Sequence, residues 1–409
     1  MFAKHVQGRI SGQAHSAVPE GTFEEHHARR GFEGEVSQLY HAHPTTDWLR
    51  VDGPIRPRGI QLADLATADA SDPRALPTLL MFNDDIRISV SKRSAAMPYY
   101  FRNADGDTLL LTQSGSGTLV CDYGALAYGP LEYLVIPKGT NYRLLPDEGV
   151  EHLTYVVETR EPIALPERGP LGHFLPFDRG VLDVPRLDAR GAVPASENPS
   201  GEWEVLVTRG GELSSIFYAF DPADAEGWTG NLAPFRLRLA DIRPLTSERL
   251  DVPPMTHATF QSGDKWIVTM APLPMQSAED AERAQPYHRN VDYDEVIVPL
   301  GAPDGRRVGP PPGLMSVIPG GMNHGSTRLT WPRSGTGCRS TCGTSTPPAP
   351  CGTRTPSRPV RSLTSPSVRA SAADPPSCPD RRPRPAAPPG GAGPLSRPSP
   401  QCRLSMSAR

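Results

Sequence analysis

Between Ile86 and Arg160 the chain breaks into short aliphatic and β-branched runs, IRISVSKR, DTLLLTQ, GTLVCDYG, LEYLVIP and HLTYVVETR, punctuated by Gly, Pro, Asp and Asn. Closely spaced runs with that punctuation predict the strands of a sandwich or barrel rather than an α/β layer. The same texture resumes near Trp203 with EWEVLVTRG and continues through RLRLADIRPL, THATFQ and KWIVTMAPLP into YDEVIVP, Tyr293 to Pro299. Residues 161–200 between the two stretches are Pro-rich and read as a connection. The expected organisation is an arm over 1–50, a first barrel over 51–160, the connection over 161–200 and a second barrel over 201–326. His26, His27, His41 and His43 fall in the arm, where they read as solvated side chains, and His257 reads as a packed strand histidine.

The stretch Pro286–Gly325 carries the candidate chemistry. Tyr293–Val298 is predicted to be a strand, so of the neighbours Asp294 and Glu295 only one can face inward. The order His288, six residues, Glu295, then Gly301 matches the first sequence motif of the cupin fold, with Asn290 in place of that motif's middle histidine. The second motif, Gly, five residues, Pro, one, Gly, two, His, is met by Gly313, Pro319, Gly321 and His324. Two imidazoles and one carboxylate can occupy one face of Fe(II) and leave its other positions open. The expected metal ligands are therefore His288, Glu295 and His324, with Asp294 facing solvent.

An internal repeat separates scaffold from chemistry. Tyr100–Gly115 aligns with Tyr287–Gly301, and Gly129–Tyr142 aligns with Gly313–His324. Phe101, Thr108 and Tyr142 stand where His288, Glu295 and His324 stand, while turn glycines and prolines recur. The first copy is thus expected to be a barrel without metal ligands. The expected fold class is all-β, two jelly-roll barrels in tandem, a bicupin with a disordered C-terminal tail.

Composition adds boundaries. The 409 residues carry a formal net charge of -3, which offers nucleic acid or an acidic membrane no electrostatic handle. No apolar run approaches the ~18–20 residues of a membrane span, and the first residues lack the apolar core of a signal peptide; a cytoplasmic protein is expected. Cys121 is the one cysteine before residue 330 and is expected to be a packed thiol; Cys338, Cys342, Cys351, Cys378 and Cys402 follow without a C-x-x-C pair. After about Thr327 apolar periodicity and lysine vanish into Arg, Pro, Ser and Thr, a composition that cannot bury a core, so 327–409 is expected to be disordered. A shifted reading frame in GC-rich coding DNA would produce this switch; intact mass and resequencing of the locus decide it.

Across residues 30 to 326 the segments LYHAHP, FRNADGDTLLL, YLVIPKGTNYR, GWTGNLAPF, YHRN and NHG resemble, in order, those of the homogentisate 1,2-dioxygenase family. The resemblance implies a bicupin with Fe(II) in its C-terminal barrel, opening the ring of homogentisate with O2 to give maleylacetoacetate in tyrosine catabolism. It carries over His288, Glu295 and His324 as ligands and Tyr287 as a pocket residue. It also singles out Thr229, at a position where the family commonly has a histidine or aspartate acting in acid/base chemistry or substrate contact; a threonine hydroxyl donates a hydrogen bond but does not titrate usefully. Ile318 likewise replaces a histidine. The expected partners are a small aromatic acid and O2 in a homo-oligomer. The alternatives are a non-catalytic cupin that has lost turnover through these changes, and a dioxygenase of another aromatic acid such as gentisate.

Overall fold

The computed structural model describes residues 4–29, 34–169, 172–192, 201–274, 276–282, 286–300, 312–325 and, for the backbone, 401–407. Helix among them is confined to α1 (Ala68–Ser71) and short 3-10 turns. The strands of the first half are β1 (Phe23–Ala28), β2 (Val36–His41), β3 (Arg58–Gln61), β4 (Thr78–Phe82), β5 (Ile86–Ser91), β6 (Tyr100–Asn103), β7 (Asp107–Ser114), β8 (Gly117–Cys121), β9 (Gly124–Tyr128), β10 (Glu132–Ile136), β11 (Asn141–Pro146) and β12 (Leu153–Thr159). There follow β13 (Trp203–Arg209), β14 (Glu212–Tyr218), β15 (Phe235–Arg238), β16 (Ala258–Ser262), β17 (Lys265–Met270), β18 (Tyr287–Arg289), β19 (Tyr293–Pro299), β20 (Leu314–Ile318), β21 (Asn323–His324) and β22 (Gln401–Ser407). The all-β, two-barrel architecture expected from the sequence is what they form.

The first barrel pairs a sheet ordered β15-β10-β7-β12-β5-β4 with one ordered β14-β13-β6-β11-β8-β9. The second repeats the plan, β3-β20-β19-β22-β17-β16 against β2-β1-β18-β21. Even the odd features recur: β13 runs parallel to β6 as β1 runs parallel to β18, and both partners open a hairpin, β13-β14 and β1-β2. The turns Leu62–Asp64 and Leu239–Asp241, both LAD, end the matching strands β3 and β15. One slot differs. β12 lies antiparallel between β5 and β7, whereas β22 fills the corresponding place between β17 and β19 parallel to both.

Strand pairing cuts across the domain limits expected at 50 and 200. The hairpin β1-β2 and strand β3, from the arm side, complete the second barrel, and β13, β14 and β15 complete the first. The reason is that each barrel closes with strands drawn from beyond its own repeat, a pairing that local composition does not record. Of the expected tail, 327–400 and 408–409 lie outside the described residues, and Gln401–Ser407 are paired as strand.

The sheet β15-β10-β7-β12-β5-β4 of the first barrel is covered on both faces, which explains why β7 reads as an unbroken LLL run. Leu109 and Leu111 join Tyr133, Tyr155, Phe260, Val296 and Met315 in one core shared by the barrels, while Leu110, with Leu134 and Val156, faces the first barrel's interior. Tyr133 is fully buried there, its ring edge-on to Phe260 at 5.4 Å and its hydroxyl 2.9 Å from Thr269 Oγ1. Side chains of this size contribute about 1.5–3 kcal/mol each by burial. Cys121 is buried, and burial pushes its thiol up to about 12, as befits a packed side chain rather than a nucleophile.

His257 closes the turn Pro254–His257 ahead of β16 and is 1% exposed, and burial lowers its pKa to about 4. The unfolded chain takes up this proton near 6.5, so stability is intact above that value and falls as the pH drops toward 4. Urea unfolding at pH 7 and pH 4.5 should differ by about 2–3 kcal/mol more in the parent chain than in His257→Gln. Equal pH dependence in both would show that this ring is not the group responsible.

Candidate metal centre

β18 and β21 pair antiparallel so that His288 lies directly opposite His324, and β19 pairs with β20 so that Glu295 lies opposite Ile318. The first barrel has the same register, Phe101 opposite Tyr142 and Thr108 opposite Ile136, which places the substitutions between the repeats at equivalent points in space. On β19 the burial pattern alternates: Tyr293 and Glu295 are buried, Asp294 is exposed and accepts the Gly320 N–H at 2.7 Å. The inward carboxylate is Glu295, as the spacing predicts. Gly321, at φ 89°, supplies the turn that brings β21 back to it.

The three side chains meet. One donor atom from each of His288, Glu295 and His324 falls within 4.8 Å of the others. Glu295 Oε2 is 2.8 Å from His324 Nε2 and 3.8 Å from His288 Nε2, and the imidazole centroids are 3.9 Å apart. Ligands ~2.1 Å from a shared ion on one octahedral face lie ~3 Å apart, close to this spacing. Each imidazole turns Nδ1 to a backbone carbonyl, His288 to Pro286 at 3.0 Å and His324 to Met322 at 3.2 Å. An Nδ1–H donated there leaves Nε2 as a lone pair, the orienting device of metal-bound histidines. Without an ion, His324 Nε2 lies at hydrogen-bond distance from Glu295 Oε2; with both Nδ1–H groups donated to the carbonyls, two Nε2 lone pairs and a carboxylate form a donor set that suits a divalent ion. Burial would raise the Glu295 carboxyl, but the two imidazoles reverse this and hold it well below the usual carboxylate range; burial first, and then His324, lowers His288.

Around the cluster the structure buries His26, which the sequence reads as solvated, and Glu25, to which local sequence assigns no role. β1 sets His26 opposite His288, and the ring is 8% exposed, so the strand taken for a solvated arm forms one wall of the site. Burial, then the neighbouring His15 and His288, lower His26 to about 3, and Gln38 Nε2 lies 2.6 Å from its Nδ1. On the opposite face of β1, Glu25 is fully buried and binds Arg289 Nε at 2.5 Å and Asn323 Nδ2 at 3.0 Å, with His41 Nε2 3.0 Å from its other oxygen. It ties the arm to both histidine-bearing strands. Asn290, two residues along from His288, is fully buried with neither amide atom hydrogen-bonded among the described residues.

Two expected site residues are not brought into the cluster. Tyr287 neighbours His288 on β18, so alternation turns it to the other face, where its ring packs edge-on against Phe23 at 6.1 Å. Thr229 is exposed beside Trp228, whose ring packs edge-on against Tyr123 of the first barrel at 5.4 Å. No hydrogen bond among the described residues ties it to the triad. Ile318, 9% exposed opposite Glu295, gives the site an apolar wall. No helix of the described residues is long and apolar enough to cross a membrane.

Parts of the chain are similar to known proteins. Residues 81–239 match the family model described as homogentisate 1,2-dioxygenase N-terminal, a stretch that ends where β15 closes the first barrel. The chain is 26% identical over 343 residues to the "Putative dioxygenase SSO1533" of Saccharolobus solfataricus, covering 80% of this chain and 87% of that one. It is 29% identical over 237 residues to the homogentisate 1,2-dioxygenase of Nitrobacter hamburgensis, covering 56% of this chain and 51% of the relative. The chain therefore spans about half the length of the curated homogentisate 1,2-dioxygenases it matches. Among solved structures, an RmlC-like cupin protein from Desulfovibrio desulfuricans is 18% identical, covering 25% of this chain and 95% of its own at a TM-score of 0.22. Over residues 81–239 the first barrel is thus similar to the N-terminal part of homogentisate 1,2-dioxygenases, and the longer match is to a protein named as a dioxygenase.

Proposed function

We propose that this chain is an Fe(II)- and O2-dependent dioxygenase that opens the ring of a hydroxylated aromatic acid, with homogentisate as substrate and maleylacetoacetate as product. One observation carries the reading: His288, Glu295 and His324 converge with both imidazoles oriented through Nδ1, so that Nε2 lone pairs and a carboxylate share one space. Iron held there supplies the redox capacity that joins O2 to an aromatic ring, chemistry no side chain performs. The residues do the rest. Glu295 supplies the negative charge that favours a divalent ion, and the Pro286 and Met322 carbonyls hold the imidazole tautomers. Ile318 and Met322, both largely buried, keep bulk water from that side. The Asn290 amide offers one donor side and one acceptor to a polar group entering the barrel. Both atoms of one O2 enter the product as one ring C–C bond breaks.

A second reading, a cupin that holds iron without turnover, is favoured by Thr229 and Ile318, which stand where the family resemblance implies titratable side chains. Oxygen uptake by anaerobically iron-loaded chain separates the readings, with homogentisate and gentisate supplied in turn. Uptake with homogentisate, one O2 per substrate, is the expected result; uptake with gentisate alone would move the substrate assignment. Iron bound at one per chain with no uptake on either acid would leave the non-catalytic cupin standing.

A further inference from the structure

The first barrel, which lacks the three ligands, is not packed solid. It holds a partly open cavity of about 90 Å³, several times the ~10–15 Å³ that a single water needs. Phe101 and Tyr142, at the positions matching His288 and His324, form its aromatic wall with their rings edge-on at 5.8 Å, and Leu110 and Val156 line it from the opposite sheet. The cavity is therefore the counterpart of the metal site, with two imidazoles exchanged for two rings.

Its polar lining is unbalanced. Arg93 lines the cavity and is 5% exposed, and its guanidinium donates to the carbonyls of Pro73 and Ala75 at 2.5 Å each. No carboxylate pairs with it among the described residues. The acid in the lining, Glu158, is engaged elsewhere, by Asn103 Nδ2 at 2.9 Å and Arg87 Nε at 3.5 Å. A guanidinium has five N–H donors, and two carbonyls with the neighbouring Tyr99 hydroxyl satisfy part of that fork and none of its charge. The Tyr142 hydroxyl, which burial keeps protonated, has no hydrogen-bond partner among the described residues and is a second donor in the same barrel. A buried cation without a counter-charge is costly, and a planar fork beside aromatic rings is matched by a carboxylate on a ring.

We propose that the metal-free barrel is a second binding site, taking one small aromatic monocarboxylate with its ring against Phe101 and Tyr142 and its carboxylate on Arg93. The site is independent of the iron reading, since none of its residues belongs to the second barrel.

Calorimetric titration of the full-length, iron-free chain with benzoate tests this, with benzyl alcohol as the uncharged comparison. Benzoate should bind with Kd near or below ~1 mM, within reach of a ligand of about nine heavy atoms, and at least ~10-fold tighter than benzyl alcohol, as a charge-assisted bidentate pair implies. Arg93→Gln should remove that preference. Val156→Phe, which fills the cavity and leaves Arg93 in place, should abolish binding of both probes; circular dichroism and unfolding midpoints establish that each variant is folded. Glu295→Gln should leave benzoate binding unchanged. Absence of saturable binding at ~10 mM benzoate, benzoate binding that survives Val156→Phe, or its loss in Glu295→Gln would each overturn the proposal.

Discussion

Replacing Glu295 by Ala should strip the chain of its metal, whereas Asp294→Asn, one residue away on the same strand, should leave it loaded. Glu295 is the only carboxylate among the described residues grouped with His288 and His324, and its oxygen lies 2.8 Å and 3.8 Å from their Nε2 atoms. Groups that merely orient a ligand are worth ~10–100-fold in metal affinity, so loss of the ligand itself should exceed ~100-fold. Asp294 is exposed and accepts one turn hydrogen bond from Gly320, which asparagine can replace at a cost within ~1 kcal/mol. Iron per chain after anaerobic loading and desalting is the readout. Retention in Glu295→Ala with loss in Asp294→Asn would mean that the face of β19 has been assigned backwards.

The second large effect concerns the arm. Glu25→Ala removes a carboxylate that is fully buried and hydrogen-bonded to Arg289 and Asn323, which flank His288 and His324 in sequence. Deleting one member of a buried ion pair leaves its partner without compensation and costs about 3–5 kcal/mol; Arg289, partly exposed, keeps the expectation at the lower end. Glu35→Ala, on an exposed neighbour of the same hairpin, should cost less than ~0.5 kcal/mol. Urea denaturation of both variants measures the difference. Because Glu25 joins β1 to β18 and β21, its loss should also weaken iron retention, and an Glu25→Ala chain as stable as the parent would show that the arm is not fastened through this residue.

The triad was legible because its signals are local. The carboxylate follows from strand alternation, the second histidine from a turn whose glycines and proline have fixed spacing, and the repeat shows both motifs with their chemistry erased. The wall of the site was not legible. FEEHHA has the polarity of a solvated arm, and what buries Glu25 and His26 is pairing with residues more than 250 positions downstream, which leaves no periodicity in either segment. The one local trace is the doubled LAD at Leu62–Asp64 and Leu239–Asp241, which marks β3 and β15 as equivalent closing strands and so points to barrels completed from outside their own repeats. Tyr287 shows the converse: as the strand neighbour of His288 its ring packs against Phe23, on the face away from the cluster. The parallel seating of β22 has no signature in a tail whose composition reads as unstructured, since the place it fills is defined wholly by β17 and β19.

Anomalous scattering at the iron absorption edge, from crystals of the anaerobically iron-loaded chain, addresses the central assertion without reference to any substrate. One peak per chain is expected, bonded to Nε2 of His288 and His324 and to the carboxylate of Glu295, with nothing beside Phe101, Thr108 and Tyr142. A fully loaded crystal whose peak lies elsewhere, or whose three side chains point apart around no ion, would contradict it.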